Sequence, residues 1–418
     1  MINSKTNQRE LAYVVIIDDI QPIQGSDNCE CAVVGGWHVM VRKNEFKTGD
    51  PAIYFEIDSY LDPSNSAFSF MEKKKYKVKT QRYTFGGKGN FISQGLLMSA
   101  ANFGWSIGID TQDSSGDAYF IIDDKGEHHY SGGESRFLTK KLNVTYAVAE
   151  DNTRKAASAD KYKKMAQRHG KLFSKQPFRW LMKHTWGKKL LFVFFGKKKD
   201  KKSEWPSWVA KTDEERIQNM PWILENKEPW VATEKIDGTS TTFTLKRGNG
   251  FKKDEFYICS RNVVFDKPDK ACYYDTNVYI EMAEKYDIYN KMKNLLDNHF
   301  TDCDWITIQG ETYGAGIQKR DYHITDHNFM AFNFITSKEG RWGTEKMVEL
   351  LQKLMGIPCV PIIDTNFILP DTVEELLEYA TNHSVLDNDL REGIVFRSKD
   401  GSKSFKAVSN EYLIAYHS

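Results

Sequence analysis

Residues 230–248 read WVATEKIDGTSTTFTLKRG, a stretch that reads as a strand turning back on itself near Gly238. Lys235 and Asp237 stand two apart at that turn. In a strand, residues i and i+2 face the same side, so the ammonium and the carboxylate project together. Gly238 relaxes the backbone at the bend. Alone, the pair reads equally as a surface ion pair or as a nucleophile beside its metal-organising partner.

The bulk composition narrows the class. The chain has 418 residues, 40% hydrophobic and 13% aromatic, which suits two or three globular domains. Its longest apolar run, LLFVFF at 190–195, is far short of the roughly 20 residues that span a bilayer. The start, MINSKTNQRELAY, has no apolar segment of a secretory signal. Cys29, Cys31, Cys259, Cys272, Cys303 and Cys359 form no CxxC pair, and the ten histidines share no metal spacing. A reducing, intracellular compartment is the expectation, with no membrane partner. Net charge is only +1, yet residues 151–202 hold 17 Lys or Arg against 3 Asp or Glu, which leaves the rest at −13. Such a basic block is either a solvated linker or an element that tracks phosphates.

Three regions follow from the pattern. Residues 1–105 carry short strand-like runs, AYVVIIDDI, CAVVGGWHVMV and PAIYFEID, separated by turns, and predict a small β-barrel. Residues 106–204 lose that rhythm: DKYKKMAQRHGKLF and PFRWLMKHTWGKKLLFVFF read as basic helical segments, and KKKDKK at 197–202 as a junction. Residues 205–418 mix strands with helices in one α+β domain. In TEKMVELLQKLMG, Thr344 reads as the cap and Gly356 as the stop; in DTVEELLEYA, Asp371 and Glu374 read as a capping box.

Five short motifs then stand in order: EKIDG at 234–238, CSRN at 259–262, QGETYGAG at 309–316, FMAFNFI at 329–335, and REGIVFRS with SKSFKAVS at 391–409. Singly each has a dull explanation; Phe332 on a strand, for instance, is more often core. Together, over about 200 residues, they resemble the covalent nucleotidyltransferase superfamily of ATP-dependent ligases and capping enzymes. ITIQGETYGAGIQKRDY and HNFMAFNFI resemble the nick-sealing RNA ligases, and KTDEERIQN at 211–219 resembles the branch with an OB domain ahead of the catalytic one. The resemblance implies an α+β chain: an N-terminal OB-type β-barrel, a basic, partly helical connecting segment, and a nucleotidyltransferase (ATP-grasp-like ligase) domain of antiparallel sheets with flanking helices. Twelve residues follow Lys406, so the carboxy-terminal OB domain of DNA ligases and capping enzymes is not expected.

The resemblance also implies roles. Lys235 would form the lysyl–AMP bond, Glu234 would meet the adenine edge, and Gly238 belongs to the same nucleotide motif. Glu311 would accept from a ribose hydroxyl and Phe332 would stack on the base. Arg261 and Lys406 would face phosphates, and Arg216 would meet the nucleotide or the RNA end. Asp237 and Glu392 would hold Mg²⁺ or Mn²⁺ through water. Relatives often carry KxK in the last motif, whereas here Ser404 takes the first slot, with Lys403 a candidate substitute. The chemistry is consistent with this set. A lysine nucleophile must be neutral, which at pH 7 costs about 4.6 kcal/mol from an ordinary pKa. A nearby divalent cation lowers that cost and neutralises phosphate charge, and magnesium prefers oxygen ligands.

The first hundred residues would hold the nucleic acid. Trp37, His38, Arg42 and Lys43, then Lys73, Lys74, Lys75, Lys77, Lys79 and Arg82 in KKKYKVKTQRYTF, supply basic and aromatic groups for an OB groove. Tyr76 and Phe85 individually read as core, and EIDSYLD at 56–62 is too acidic to touch phosphate. No GxxxxGK[ST] occurs, and GGKGN at 86–90 lacks a helix, so a P-loop enzyme is not expected. The expected function is an ATP-dependent RNA ligase, a monomer that joins a 5′-phosphate to a 3′-OH RNA end at nicks. The rivals are a GTP-dependent capping guanylyltransferase and a binding protein with a decayed catalytic fold.

Overall fold

The computed structural model describes residues 1–3, 6–87, 89–110, 118–122, 128–131, 136–146, 175–195, 205–249, 252–265, 272, 274 and 276–416. The first domain is β-rich. Strands β1 (Ala12–Ile16), β2 (Asp19–Pro22), β3 (Cys29–Val34), β4 (Trp37–Arg42) and β5 (Pro51–Phe55) are followed by β6 (Ser59–Tyr60), β7 (Gln81–Thr84), β8 (Asn90–Ser93) and β9 (Leu96–Met98). They pair antiparallel as β1–β5–β9, β2–β3–β4 and β7–β8. Alternation drives the pairing: along β4, Trp37, Val39 and Val41 are buried while His38 and Met40 are less so.

This core reaches past residue 105. Leu138, Leu142 and Val144 pack against Leu11, Ile53 and Phe55, and β13 (Thr145–Tyr146) pairs with β6. Between them β10 (Ser106–Asp110), β11 (Ala118–Ile122) and β12 (His128–Ser131) form an antiparallel meander, so strands continue through 106–131, where the sequence predicts that the strand rhythm is lost. Helices do form at α1 (Gln176–Leu181) and α2 (Thr185–Phe195). DKYKKMAQRHGKLF and KKKDKK lie outside the described residues.

The second domain is built on two sheets. One takes β14 (Trp230–Glu234), β20 (Ile362–Phe367), β21 (Gly393–Ser398) and β22 (Ser404–Val408) in the order β20–β14–β21–β22. The other takes β15 (Thr239–Lys246), β16 (Glu255–Ser260), β17 (Trp305–Gly314), β18 (His327–Thr336) and β19 (Gly340–Arg341) in the order β16–β15–β17–β18–β19. Helices α3 (Val278–Lys285), α4 (Ile288–Asn298) and α5 (Thr344–Val348) cover the five-stranded sheet through Met282, Leu295 and Met347. Helix α6 (Val373–Ala380) covers the four-stranded one through Leu376 and Ala380, and α7 (Asn410–Tyr416) closes the described chain.

β14 and β15 do not pair. Residues 235–238 carry the chain from one sheet to the other instead of turning a hairpin, because β14 is saturated by β20 and β21 while β15 lies between β16 and β17. Two caps also move by a residue. Thr344 opens α5 without a side-chain cap, Gly343 taking that place. The capping box is Thr372 with Glu375, because Asp371 is engaged by Lys227 at 2.8 Å.

The domains meet at a polar and apolar seam. Arg9 donates to Glu56 at 2.9 Å and to Glu215 at 3.0 Å. A Cβ at Gly36 would lie 2.6 Å from Val373 of α6, so the backbone approach there needs glycine. Trp37 is buried in the first domain's core, and the Arg216 guanidinium lies 5.6 Å over its ring. Trp37 is therefore not a groove residue.

Candidate active site

The crossing at 235–238 opens a cavity of about 310 Å³ between the two sheets. Glu234, Lys235, Asp237, Gly238, Arg261, Glu311, Phe332 and Lys406 all line it. Glu392 joins them through Lys235, while Arg216 stands outside the lining, against Trp37.

Strand register explains the convergence. Glu234 pairs with Ile394 across β14 and β21, and the Lys235 N–H donates to the Gly393 carbonyl at 3.0 Å. Lys235 thereby comes beside Glu392, and its Nζ donates to the carboxylate at 2.6 Å. On the other sheet Ser240 pairs with Glu311, bringing that carboxyl to the same opening. Between β17 and β18 the register steps from Gln309↔Asn333 to Gly310↔Ala331. Phe332 is the extra residue of this bulge, which lets Phe329, Ala331 and Phe334 fill the core while Phe332 faces the cavity. Gly238 admits no side chain: a Cβ would lie 2.3 Å from the Thr312 carbonyl oxygen and 2.9 Å from Glu311 Cγ.

The electrostatics are unbalanced. Burial alone would lower the Lys235 ammonium, but Glu392, Glu311 and Asp237 outweigh it and hold the group above the ordinary lysine value. Burial, then Glu392, pushes Asp237 up to about 6. Burial pushes Glu311 up to about 8 despite Lys235. Lys406 falls to about 8, through burial and then the neighbouring Lys235 and Arg216 charges. Three carboxylates crowding one ammonium, two of them reluctant to ionise, make an oxygen-donor set that a hard divalent cation fits. Asp237 and Glu392 are the residues that would hold it.

Several supporting residues, some of them inside the quoted motifs, have no role assigned from the sequence. The Asp237 N–H donates to the Tyr322 hydroxyl, and the Tyr412 hydroxyl donates to the Asp237 carboxylate, both at 2.7 Å. Arg320, buried against Asp387, lies 4.3 Å over the Tyr322 ring. Ser384 and the Val385 N–H both donate to Glu234. Asp213 accepts from Arg261 at 2.5 Å and stands 3.7 Å from Lys406 Nζ, a carboxylate set between two cations. Ser404 donates to Glu214, which also accepts from Arg397 and Arg341. Lys403 is exposed beyond the cavity lining.

The basic stretch of the first domain lies on its surface. Lys73, Lys74, Lys75, Lys79 and Arg82 are exposed, and Lys77 is half-buried where it bridges Tyr60. Lys74 donates to Gln81 at 2.9 Å. Tyr76 and Phe85 pack against the core.

Comparison with known proteins follows the same division. Residues 228–408 match the RNA ligase family model, and residues 11–99 match that of an OB-fold domain. No curated protein sequence matches. Among solved structures, the chain is similar to Naegleria gruberi RNA ligase with PPi, at 25% identity over 97% of this chain and 98% of that one, TM-score 0.58. A mutant of that ligase with AMP and Mn matches at 24% identity over 98% and 99%, TM-score 0.60. Another, with ATP and Mn, matches at 23% over 98% and 100%, TM-score 0.61. The α+β architecture is that of these ligases, and the RNA ligase and OB-fold matches fall on the second and first domains respectively.

Proposed function

We propose that this chain is an ATP-dependent RNA ligase that seals nicks, joining a 5′-phosphate to a 3′-OH RNA end held in a duplex. The observation that carries the reading is the Lys235–Glu392 contact inside a cavity that Asp237, Glu311 and Lys406 also line. The Lys235 Nζ would attack the α-phosphorus of ATP, forming a P–N bond as pyrophosphate leaves. The lysyl–AMP would pass its adenylyl group to the RNA 5′-phosphate, restoring the lysine. The 3′-hydroxyl would then attack that phosphate and release AMP.

The residues divide this work. Glu392 accepts a hydrogen bond from the Lys235 ammonium and would hold Nζ in place until it loses its proton. Phe332, half-buried at the bulge, offers a face for the base, and Glu311 offers a carboxyl to the ribose. Arg261 and Lys406, now tied to Asp213, would exchange that carboxylate for phosphate oxygens. A divalent cation at Asp237 and Glu392 would supply charge neutralisation to the α-phosphate and favour the neutral lysine. Arg216 would act from the seam with the first domain, whose exposed Lys73, Lys74, Lys75, Lys79 and Arg82, with the half-buried Lys77, would lie along the duplex. A monomer inside the cell suffices for this chemistry, and no helix among the described residues is long and apolar enough to cross a membrane.

The test is covalent labelling. With Mn²⁺ or Mg²⁺ and α-labelled nucleotide, ATP labels the denatured chain, GTP does not, and Lys235→Ala abolishes the label. Label from GTP would point to capping chemistry instead. Nicked duplex RNA is then joined faster than the same strands unpaired; equal rates would remove the nick from the proposal.

A further inference from the structure

The helical hairpin α1–α2 lies outside everything assigned above. It is internally packed: Phe178 and Phe195 meet edge to face at 6.0 Å, Leu191 is buried, and a Cβ at Gly187 would lie 2.3 Å from the Leu181 carbonyl oxygen. Its outer face is unlike a solvated surface. Trp180 is 53% exposed, Trp186 55% and Leu190 47%. The two indoles meet at 6.0 Å, and the His184 ring sits 4.8 Å from Trp180 and 6.3 Å from Trp186, nearly parallel to the latter. Residues 175–195 carry five Lys or Arg and no Asp or Glu.

We propose that this hairpin is a second RNA-binding surface, in which the Trp180–His184–Trp186 cluster stacks on unpaired or terminal bases while the surrounding lysines and arginine track the backbone. The inference rests on the chain acting on RNA. A partner for this face must be polyanionic and must offer flat apolar area, and a nucleic-acid strand does both. An interfacial membrane helix would instead segregate a continuous apolar face from its charges. Here Trp186 and Lys189, three apart on α2 and both exposed, put indole and charge on one face, and α1 is only six residues long.

The experiment measures binding of the full chain to fluorescently labelled nicked duplex RNA with a single-stranded flank, by anisotropy across a salt series. Trp180→Leu with Trp186→Leu keeps the apolar area but removes the π-faces; Trp180→Phe with Trp186→Phe keeps both. The Leu pair is expected to weaken binding about tenfold or more, and the Phe pair to restore most of it. Lys183→Gln with Lys188→Gln is expected to flatten the dependence of log K on log salt. Thermal unfolding reports whether each variant is folded. Unchanged affinity in the folded Leu pair overturns the proposal. So does wild-type binding to vesicles of anionic phospholipid that both tryptophan pairs preserve while RNA affinity stays constant. Failure of the wild type to join RNA at all is a separate result and counts against the ligase reading.

Discussion

Lys235 and Glu392 are 157 residues apart in sequence, yet the ammonium donates to the carboxylate at 2.6 Å because β14 and β21 are neighbours. The contact fixes the proposed nucleophile and, against the burial that would lower it, favours its protonated form. Lys235→Arg preserves the charge and the reach to Glu392, but a guanidinium does not lose its proton, so no covalent nucleotide forms. Glu392→Gln removes the partner instead. Its rate of lysyl–AMP formation falls about 10²–10³-fold, while the acidic limb of its pH profile moves to lower pH, since the carboxylate that raises the lysine is gone. Quench-flow labelling at several pH values separates the two effects; an unshifted limb would show that Glu392 does not set the Lys235 proton.

Much of this site was legible because its chemistry sits in short, spaced motifs. Lys235, Asp237 and Lys406 carry charges suited to phosphate transfer, Glu311 and Phe332 carry groups suited to a ribose and a base, and the structure gathers all five around one cavity. What could not be read is what depends on distant pairing. EKIDG reads as a hairpin until β14 and β15 prove to belong to different sheets. Tyr412 and Tyr322 are ordinary tyrosines until the fold puts one on each side of Asp237. Trp37 has the composition of a groove residue but the burial of a core one. The capping box slipped by one residue because Asp371 and Thr372 are both good caps, and only the Lys227 contact decides between them.

Gly238 is required by contact distance. A methyl group there would press on the Thr312 carbonyl and on Glu311 Cγ, and the carbonyl cannot retreat without disturbing the pairing of β15 with β17. Gly238→Ala should cost about 1–3 kcal/mol of stability and raise the ATP concentration needed for half-maximal labelling. Denaturant unfolding and an ATP titration measure both. A variant of full stability and unchanged ATP dependence would mean that the crossing has room for a methyl group at Gly238.

Glu311 predicts a pH-dependent stability difference. Its folded pKa, pushed up to about 8 by burial, lies above the ordinary carboxyl value. Between the two values the native state binds more protons than the unfolded one, so this group makes stability fall as pH rises through that window. Glu311→Gln removes the term. Relative to wild type, the variant should gain melting temperature from pH 5 to pH 9, with little difference at the acidic end. A constant offset across that range would show that the carboxyl ionises normally.

Arg9 is the clearest test of whether the two domains act as one body. Its guanidinium spans Glu56 of the first domain, 1% exposed, and Glu215, which precedes Arg216. Arg9→Ala leaves Glu56 buried without this partner, a loss on the order of 3–5 kcal/mol when a buried pair is broken. The half-exposed arginine and the Met1 ammonium, which also reaches Glu56, bring the expected loss down to about 2 kcal/mol. Arg9→Lys should recover part of it, since one ammonium can serve Glu56 but not both carboxylates at once. If the seam positions Arg216 for the reaction, Arg9→Ala also slows the joining of RNA by more than its melting temperature explains. Equal rates at a temperature where both proteins are folded would leave the seam a purely structural contact.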